Sequence, residues 1–213
     1  MITIPSVPVL ISNPSPFTHL AQAFGVMFTD NARYLHALAT PGYNAKNTAR
    51  RARLAYCGRA TLKERVAWHL SGHNSTPLPV LMAIAREVSK DGPLALISAK
   101  IGLPRALHAS ADDHRRITEN TLAGRSILAD TLCALIAVVC IEHGCDGPNA
   151  FLRRFIFPSC DILLHRASTR CVDANGTWIF YPAWHDESPF RPNNAAESTS
   201  DFAVCRSLSW LDL

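Results

Sequence analysis

The sequence predicts a mainly α-helical protein with a compact five-helix head, a long oligomerising helix and a small C-terminal region containing a β-hairpin. Apolar residues recur at three- and four-residue intervals across 29–108, which is the spacing of amphipathic helices. A second helical pattern continues over residues 110–142. Asn175-Gly176 lies between two β-prone runs, which is a strong signal for a hairpin turn.

Composition divides the 213-residue chain into five predicted segments. The N-terminus is interrupted by prolines and has no basic region, so we expect an arm and no signal peptide. The C-terminal end is rich in Pro, Asn, Ser and Glu, which favours a loose tail. The segments are an arm (1–28), a helix-turn-helix-like DNA-binding domain (29–108), a long oligomerisation helix (109–145), a small subdomain with the hairpin (146–185) and a tail (186–213).

Each helix of the head is bounded by a start or stop signal. Thr29-Asp30-Asn31 is a capping sequence, and Pro41-Gly42 ends the helix that follows it. Cys57-Gly58 predicts a turn between a second and a third helix, and Thr76-Pro77 predicts the start of a fourth. The remaining predicted bounds are Thr48–Tyr56 for the second helix, Ala60–Leu70 for the third, closure of the fourth at Asp91-Gly92-Pro93, and Leu94–Ile101 for the fifth.

The long helix is apolar nearly all round in its second half. It begins at a capping sequence starting with Ser110, and Gly144 stops it, with a possible break at Gly124. Its apolar run, Ser126–Ile141, contains Asp130 and is too short and too polar for a membrane span. A helix of this kind must be covered on every side. Either a second copy of the chain or residues 150–165 of the same monomer would cover it.

Positive charge is concentrated in one segment. Between Lys46 and Arg65 there are seven Lys or Arg residues against one acid, Glu64, so the segment carries +6. The whole chain carries +4, so the rest sums to −2. Such a segment predicts a surface that binds a polyanion. The alternative is a helical bundle whose basic face is merely solvated.

For duplex DNA, the candidate residues belong to the second and third helices. Long cationic side chains without nearby acids suit phosphate contacts, and the exposed face of a helix in the major groove suits base contacts. The alternative for Trp68 is a core position. The phosphate-binding candidates are Arg50, Arg51, Arg53, Arg59, Lys63 and Arg65, and the base-reading candidates are Lys63, Arg65, Trp68 and His69.

The run LKERVAWHLSGHNSTPLPVLMAIAREV resembles the recognition helix, loop and following helix of repressor-like helix-turn-helix proteins. Its matching positions are Val66, Trp68 or Leu70, Gly72 and Pro77. The continuation SKDGPLALISAKIGLP is similar in layout to temperate-phage CII-type regulators. The resemblance implies a cytoplasmic, homo-oligomeric, sequence-specific DNA-binding transcription regulator from a phage or mobile element.

The resemblance departs from the family at the turn between helices two and three. Gly58 stands eight residues before Val66 where the family has six, and Ala60 occupies the expected glycine position.

The cysteines and histidines of the sequence are compatible with a metal site. Seven cysteines without a framework spacing predict reduced thiols in the cytosol. His69 and His73 are four residues apart, but Ser71-Gly72 predicts a helix end between them and no Glu follows His69. Zinc is the candidate cofactor, although the sequence has no C-x2-C pair of the kind typical of zinc sites. Its candidate ligands are Cys140, His143, Cys145, Cys160, His165 and Cys171.

No residue is predicted to be catalytic. Asp112-Asp113-His114 is a compact acid–histidine group, and it lies at a predicted helix N-terminus where acids are common. The sequence has no phosphate-binding glycine loop and no G-x-S-x-G. It therefore favours a binding protein, with double-stranded DNA, another copy of itself and a host protein as partners, and no membrane. The alternatives are a phage-type inhibitor or adaptor whose basic face meets an acidic protein, and a zinc-stabilised domain or zinc-dependent enzyme.

Overall fold

The computed structural model describes residues 16–28, 31–43 and 48–171. These ranges contain ten helices and no strand, so the prediction of a mainly α protein is confirmed for the part described. The predicted hairpin at Asn175-Gly176, the first 15 residues and the tail lie outside it. The helices are α1 (Pro16–Phe24), α2 (Asn31–Leu38), α3 (Thr48–Ser71), α4 (Leu78–Val88), α5 (Asp91–Lys100), α6 (Leu103–Ala106), α7 (Ala111–Thr118), α8 (Leu122–His143), α9 (Asn149–Phe155) and α10 (Phe157–Cys171).

The centre of the fold is α8. Its sequence is apolar around the whole circumference, and its residues from Thr131 to Val139 are all buried. The helices packed around it are chiefly α3, α5, α7 and α2. The helix is long and apolar enough to cross a membrane, but 72% of its most apolar stretch is buried inside the chain. The monomer covers this helix by itself, which removes the reason for expecting self-association through residues 109–145.

One hydrophobic core joins all the described helices except α7. It includes Leu20 of α1, Leu62 of α3, Leu132 of α8 and Leu163 of α10. The predicted domain boundaries after residues 108 and 145 therefore pass between elements that share this core.

The largest departure from the predicted head is in α3. Instead of two helices with a turn at Cys57-Gly58, the chain forms a single 24-residue helix. Gly58 lies directly against α8, where an added Cβ would be 1.7 Å from the carbonyl oxygen of Cys133. The glycine therefore permits a close approach of two helix backbones and does not mark a turn. The helix-turn-helix head is not formed, since its predicted reading helix is the second half of a core helix.

Two other signals for the start or end of a helix act nearly as predicted. The start at Thr76-Pro77 is confirmed to within one residue by α4. The break in the long helical pattern falls just before Gly124, at Asn120, which adopts the left-handed conformation (φ 53°). Gly124 then packs against the last turn of α7, where a Cβ would lie 2.2 Å from the carbonyl oxygen of Arg116. The local sequence pattern does not reveal the contact between Gly124 and α7. The helix break was therefore predicted at Gly124 and not at Asn120.

Candidate functional site

An open pocket of about 520 Å³ lies at the C-terminal end of α3, where α9 and α10 pack beside it. Its lining combines cationic, aromatic, imidazole and carboxylate groups. Three of the lining residues were predicted to bind a nucleic acid: Arg65, Trp68 and His69. The rest of the lining is Asn149, Arg153, Phe157, Pro158 and Asp161.

The α3 register decides which side chains reach this pocket. Leu62, Val66 and Leu70 form the buried stripe predicted from their four-residue spacing. Trp68 lies away from that stripe and is 70% exposed, so the alternative that it is a core residue is wrong. His69 lies at the edge of the stripe and is only partly exposed.

His69 is held from two sides. Its Nε2 lies 2.8 Å from Oδ1 of Asp161, a residue 92 positions further along the chain. Its ring stacks on Phe157 with the ring centroids 4.2 Å apart and the planes 2° apart. A histidine with both its ring face and its ring edge fixed has little rotational freedom left, so the imidazole is pre-oriented.

His73 lies beside this pair, just beyond the end of α3. Its backbone N–H donates to the carbonyl of Leu70 (3.0 Å), which closes the turn that follows the helix. The rings of His69 and His73 meet edge to face, with centroids 6.1 Å apart. One ligand atom from each of His69, His73 and Asp161 lies within 4.8 Å of the others.

Arg65 is partly occupied by a structural contact. Its guanidinium donates to the carbonyl of Cys145 (2.9 Å) and lies 3.4 Å from a carboxylate oxygen of Asp146. It therefore holds the segment after α8 against α3. Arg153, on α9, is exposed and lines the same pocket.

The remaining predicted phosphate contacts do not share a face. Arg50, Arg53 and Lys63 are exposed, and Arg50 lies 3.5 Å from Nε2 of His36. Arg51 is 5% exposed and donates to the carbonyl of Ile127 and the hydroxyl of Thr131, both on α8. The basic residues of α3 are thus distributed around the helix.

Arg59 lies where α3, α5 and α8 meet. Its guanidinium lies 2.9 Å from carboxylate oxygens of both Asp91 and Asp130, and it also donates to the carbonyl of Ser89. Burial alone would lower the pKa of Arg59, but its surroundings, including these two carboxylates, outweigh burial and raise the pKa. Arg59 is therefore a partly buried cation fixed at a three-helix junction.

Arg51→Met is expected to leave the free energy of unfolding within about 1 kcal/mol of wild type, or to raise it. Burial lowers the pKa of Arg51 despite the attraction of Asp130 and Asp113, and its Nε has no hydrogen-bond partner among the described residues. Removing this charge strands no acceptor, because Thr131 still donates to the Ile127 carbonyl. Urea denaturation measures the change. Arg51→Ala, which also leaves a cavity, should cost roughly 2 kcal/mol or more, and an equal loss in the methionine variant would contradict the argument.

The residues predicted to bind zinc are not brought together at this pocket. None of them belongs to the His69–His73–Asp161 group. Cys160 is buried, and burial raises the pKa of its thiol to about 12. Nε2 of His143 is 3.1 Å from the carbonyl of Met27. The sequence did not predict Asp161, Arg153 and Phe157 as site residues, because each comes from a helix remote in sequence from α3.

The sequence matches no protein-family model, and no curated protein matches it. Two solved structures of the nuclease domain of ribonuclease III from Campylobacter jejuni do match the fold. Their TM-scores are both 0.59, with 21% and 20% identity over 66% and 68% of this chain and 96% of each nuclease domain. The chain has a fold similar to that of a ribonuclease III nuclease domain. At this identity the ribonuclease III likeness establishes the fold alone.

This ribonuclease III-like fold corrects the resemblance to repressor-like helix-turn-helix proteins and CII-type regulators, which is wrong. The prediction of a DNA-binding transcription regulator of phage type is wrong with it. The resemblance was drawn from the run LKERVAWHLSGHNSTPLPVLMAIAREV, but the turn that a helix-turn-helix needs before Val66 is missing, because Cys57-Gly58 lies within one continuous helix.

Proposed function

We propose that this chain binds RNA at the pocket at the end of α3. The observation that carries the proposal is an indole that is 70% exposed, Trp68, beside Arg65 and Arg153 in an open pocket. The similar fold of ribonuclease III nuclease domains supports RNA as the nucleic acid.

Trp68 supplies the platform for a base. Trp68 presents a large aromatic side chain to solvent at the rim of a pocket that also holds two arginines. Every nucleobase has a π-face, and stacking on an aromatic side chain contributes about 1–3 kcal/mol per base. Trp68 is therefore suited to an unpaired base without a sequence preference.

Arg153 supplies the phosphate contact. Arg153 lies on α9, lines the pocket and is exposed, whereas Arg65 uses part of its hydrogen-bonding capacity on Cys145 and Asp146. An arginine near a stacked base can bind the adjoining phosphate with two parallel hydrogen bonds. The combination of one stacking platform and one exposed guanidinium favours a single-stranded or looped segment.

Binding, and not hydrolysis at the three-helix junction, is the activity proposed. Metal-dependent nucleases gather carboxylates around magnesium or a similar ion. Asp91 and Asp130 come from different helices, but both bind the guanidinium of Arg59. A positive charge already occupies the space between these carboxylates, so the pair does not fit a divalent cation.

Self-association is a further part of the proposal. One of the two Campylobacter structures describes flexibility in a region involved in dimer formation of the nuclease domain. A dimer of this chain is the corresponding expectation, which light scattering of the full chain tests.

The location of the protein in the cytoplasm stays a prediction.

Trp68→Ala is expected to weaken RNA binding by roughly 5- to 100-fold, the loss of one base-stacking contact. Arg153→Ala should weaken it several-fold and reduce the salt dependence by about one phosphate contact. Fluorescence anisotropy of a labelled single-stranded RNA and a hairpin, at several salt concentrations, measures both effects. Both side chains are exposed, so neither change should impair folding.

Arg154→Ala is the matched control. Arg154 is the next residue on α9, has the same charge and is exposed, but it lies over the ring of Phe155 and does not line the pocket. It should bind RNA nearly as wild type does. Equal affinities for wild type, Trp68→Ala and Arg153→Ala, or no RNA binding by wild type, would refute the proposal.

A further inference from the structure

We propose that His69, His73 and Asp161 together bind one divalent transition-metal ion at the edge of the pocket. Among the described residues, they form the group in which three metal-ligating side chains present ligand atoms within 4.8 Å of one another. The existence of this metal site does not depend on RNA binding, but its role toward RNA rests on the proposed function.

The distances fit an ion with a small adjustment. Metal–nitrogen and metal–oxygen bonds in such sites are about 2.0–2.2 Å, so two ligand atoms on one ion are at most about 4.2 Å apart. Nε2 of His69 and Oδ1 of Asp161 are 2.8 Å apart, within that limit. Ligand atoms at the tetrahedral angle lie about 3.4 Å apart, and the largest separation in the group is bounded by 4.8 Å, so closure needs a shift of at most about 1.4 Å. His73 follows the end of α3 and can supply this shift by a side-chain rotation.

The donor set selects the class of ion. Imidazole nitrogen suits transition metals, whereas magnesium and calcium prefer ligands that are all oxygen. Two imidazoles and one carboxylate also leave coordination positions open to the pocket. A divalent transition-metal ion is therefore the ligand, with water or an RNA phosphate oxygen at the open positions.

The arrangement is more than a histidine–aspartate ion pair. The hydrogen bond from His69 to Asp161 and the stack on Phe157 account for two of the three residues. His73 comes four residues after His69, in the turn that follows α3, so the chain places a third ligand atom beside this pair. On binding, Nε2 of His69 and Oδ1 of Asp161 exchange their hydrogen bond for two bonds to the metal, and any proton on Nε2 leaves to solvent.

The charges around the site predict coupling to RNA. Arg65 and Arg153 line the same pocket and repel a free cation, which weakens metal binding in the absence of RNA. A phosphate group would neutralise the arginines and offer an oxygen to the ion. The metal and RNA should therefore bind with positive cooperativity, each raising the affinity for the other by the same factor.

The test titrates Co²⁺ into the full-length, chelator-stripped protein and follows its visible absorption and binding heat. Wild type is expected to bind one equivalent of Co²⁺ at this site, and His73→Ala should bind it at least about 10-fold more weakly, since losing even an outer partner of a metal ligand costs about 10- to 100-fold in affinity. His73 is the residue to change first, because His69 also packs on Phe157. His69→Ala and Asp161→Asn should show the same loss.

The matched control is His114→Ala, which removes an exposed histidine of α7 outside the group. Its Co²⁺ spectrum should equal that of wild type. Binding of Co²⁺ by other cysteines and histidines is common to all variants and cancels in the difference spectrum. Identical titrations for wild type and His73→Ala, or no binding by wild type at millimolar Co²⁺, would overturn the metal site.

A second titration separates this inference from the proposed function. RNA affinity is measured with and without Co²⁺, and wild type should gain affinity where His73→Ala does not. RNA binding without any Co²⁺ effect would remove the metal site and leave the RNA proposal intact. Co²⁺ binding by a protein that binds no RNA would leave the metal site and refute the proposed function.

Discussion

Gly58→Ala is expected to lower the free energy of unfolding by about 3 kcal/mol or more, the upper part of the range for overpacked cores. The added Cβ would lie 1.7 Å from the carbonyl oxygen and 2.6 Å from the carbonyl carbon of Cys133, and 3.1 Å from the amide nitrogen of Ala137. These are backbone atoms of α8, so no flexible side chain can move aside. The two central helices would have to separate along their length.

Helix propensity acts in the opposite direction, and its size decides the sign. Alanine is favoured over glycine within a helix by about 1 kcal/mol. That gain is smaller than the expected cost of forcing α3 away from α8. Because whole domains are stable by only about 5–15 kcal/mol, the loss should be plain in urea denaturation followed by circular dichroism.

Gly92→Ala is the control for this substitution. Gly92 is the second residue of α5, and a Cβ there would have no atom within 4 Å. This variant should be as stable as wild type or gain up to about 1 kcal/mol through a less flexible unfolded chain. A Gly58→Ala protein as stable as the Gly92→Ala protein would show that α3 and α8 do not pack as closely as described.

Gly58 also shows why the fold could be predicted only in part. The pattern of Leu62, Val66 and Leu70 identified a helix and its buried face, and the structure confirms both. The same local sequence cannot tell whether a glycine ends a helix or lets another helix approach. The answer depends on Cys133, which lies on a helix 75 residues later in the chain.

The site was predictable in the same uneven way. The high density of positive charge in the sequence of α3 predicted a binding surface there. Three of the predicted residues, Arg65, Trp68 and His69, do line the pocket. The net charge of a segment does not show which way each of its side chains points. Arg51 and Arg59 were therefore assigned to a DNA surface, although both bind other groups of the same chain. Phosphate contact and internal neutralisation require the same residue type, and only the partners distinguish them.

The acid–histidine group at 112–114 illustrates a structural use of residues that resemble catalytic ones. Oδ2 of Asp113 accepts hydrogen bonds from the hydroxyl of Thr40 (2.6 Å) and the backbone N–H of Gly42 (2.9 Å). Its own N–H donates to the Ser110 hydroxyl, which caps α7. Asp113 therefore ties the turn after α2 to the start of α7.

Asp113→Asn is expected to cost about 2–3 kcal/mol near neutral pH, because hydrogen bonds to a charged acceptor contribute about 1.5–3 kcal/mol and Asp113 as a residue is only 5% exposed. An asparagine must either turn its NH₂ group toward two donors or accept both bonds without the charge. Urea denaturation at pH 7 measures the loss. The control is Asp112→Asn, which removes exposed ion pairs to Arg115 and Arg116 and should cost at most about 1 kcal/mol.

The pH dependence of this difference follows from the pKa of Asp113. Burial alone would raise that pKa, but the hydrogen bonds from Thr40, Gly42 and Ser110 and the charge of Arg116 lower it below its ordinary value of 3.8. A carboxyl with a lowered pKa in the folded state stabilises the protein fully above its unfolded pKa. That stabilisation is lost as the pH falls through the folded pKa. The gap between wild type and Asp113→Asn should therefore be constant above about pH 5 and shrink below 3.8. A gap that stays constant down to pH 2 would show that Asp113 contributes through its shape and not through its charge.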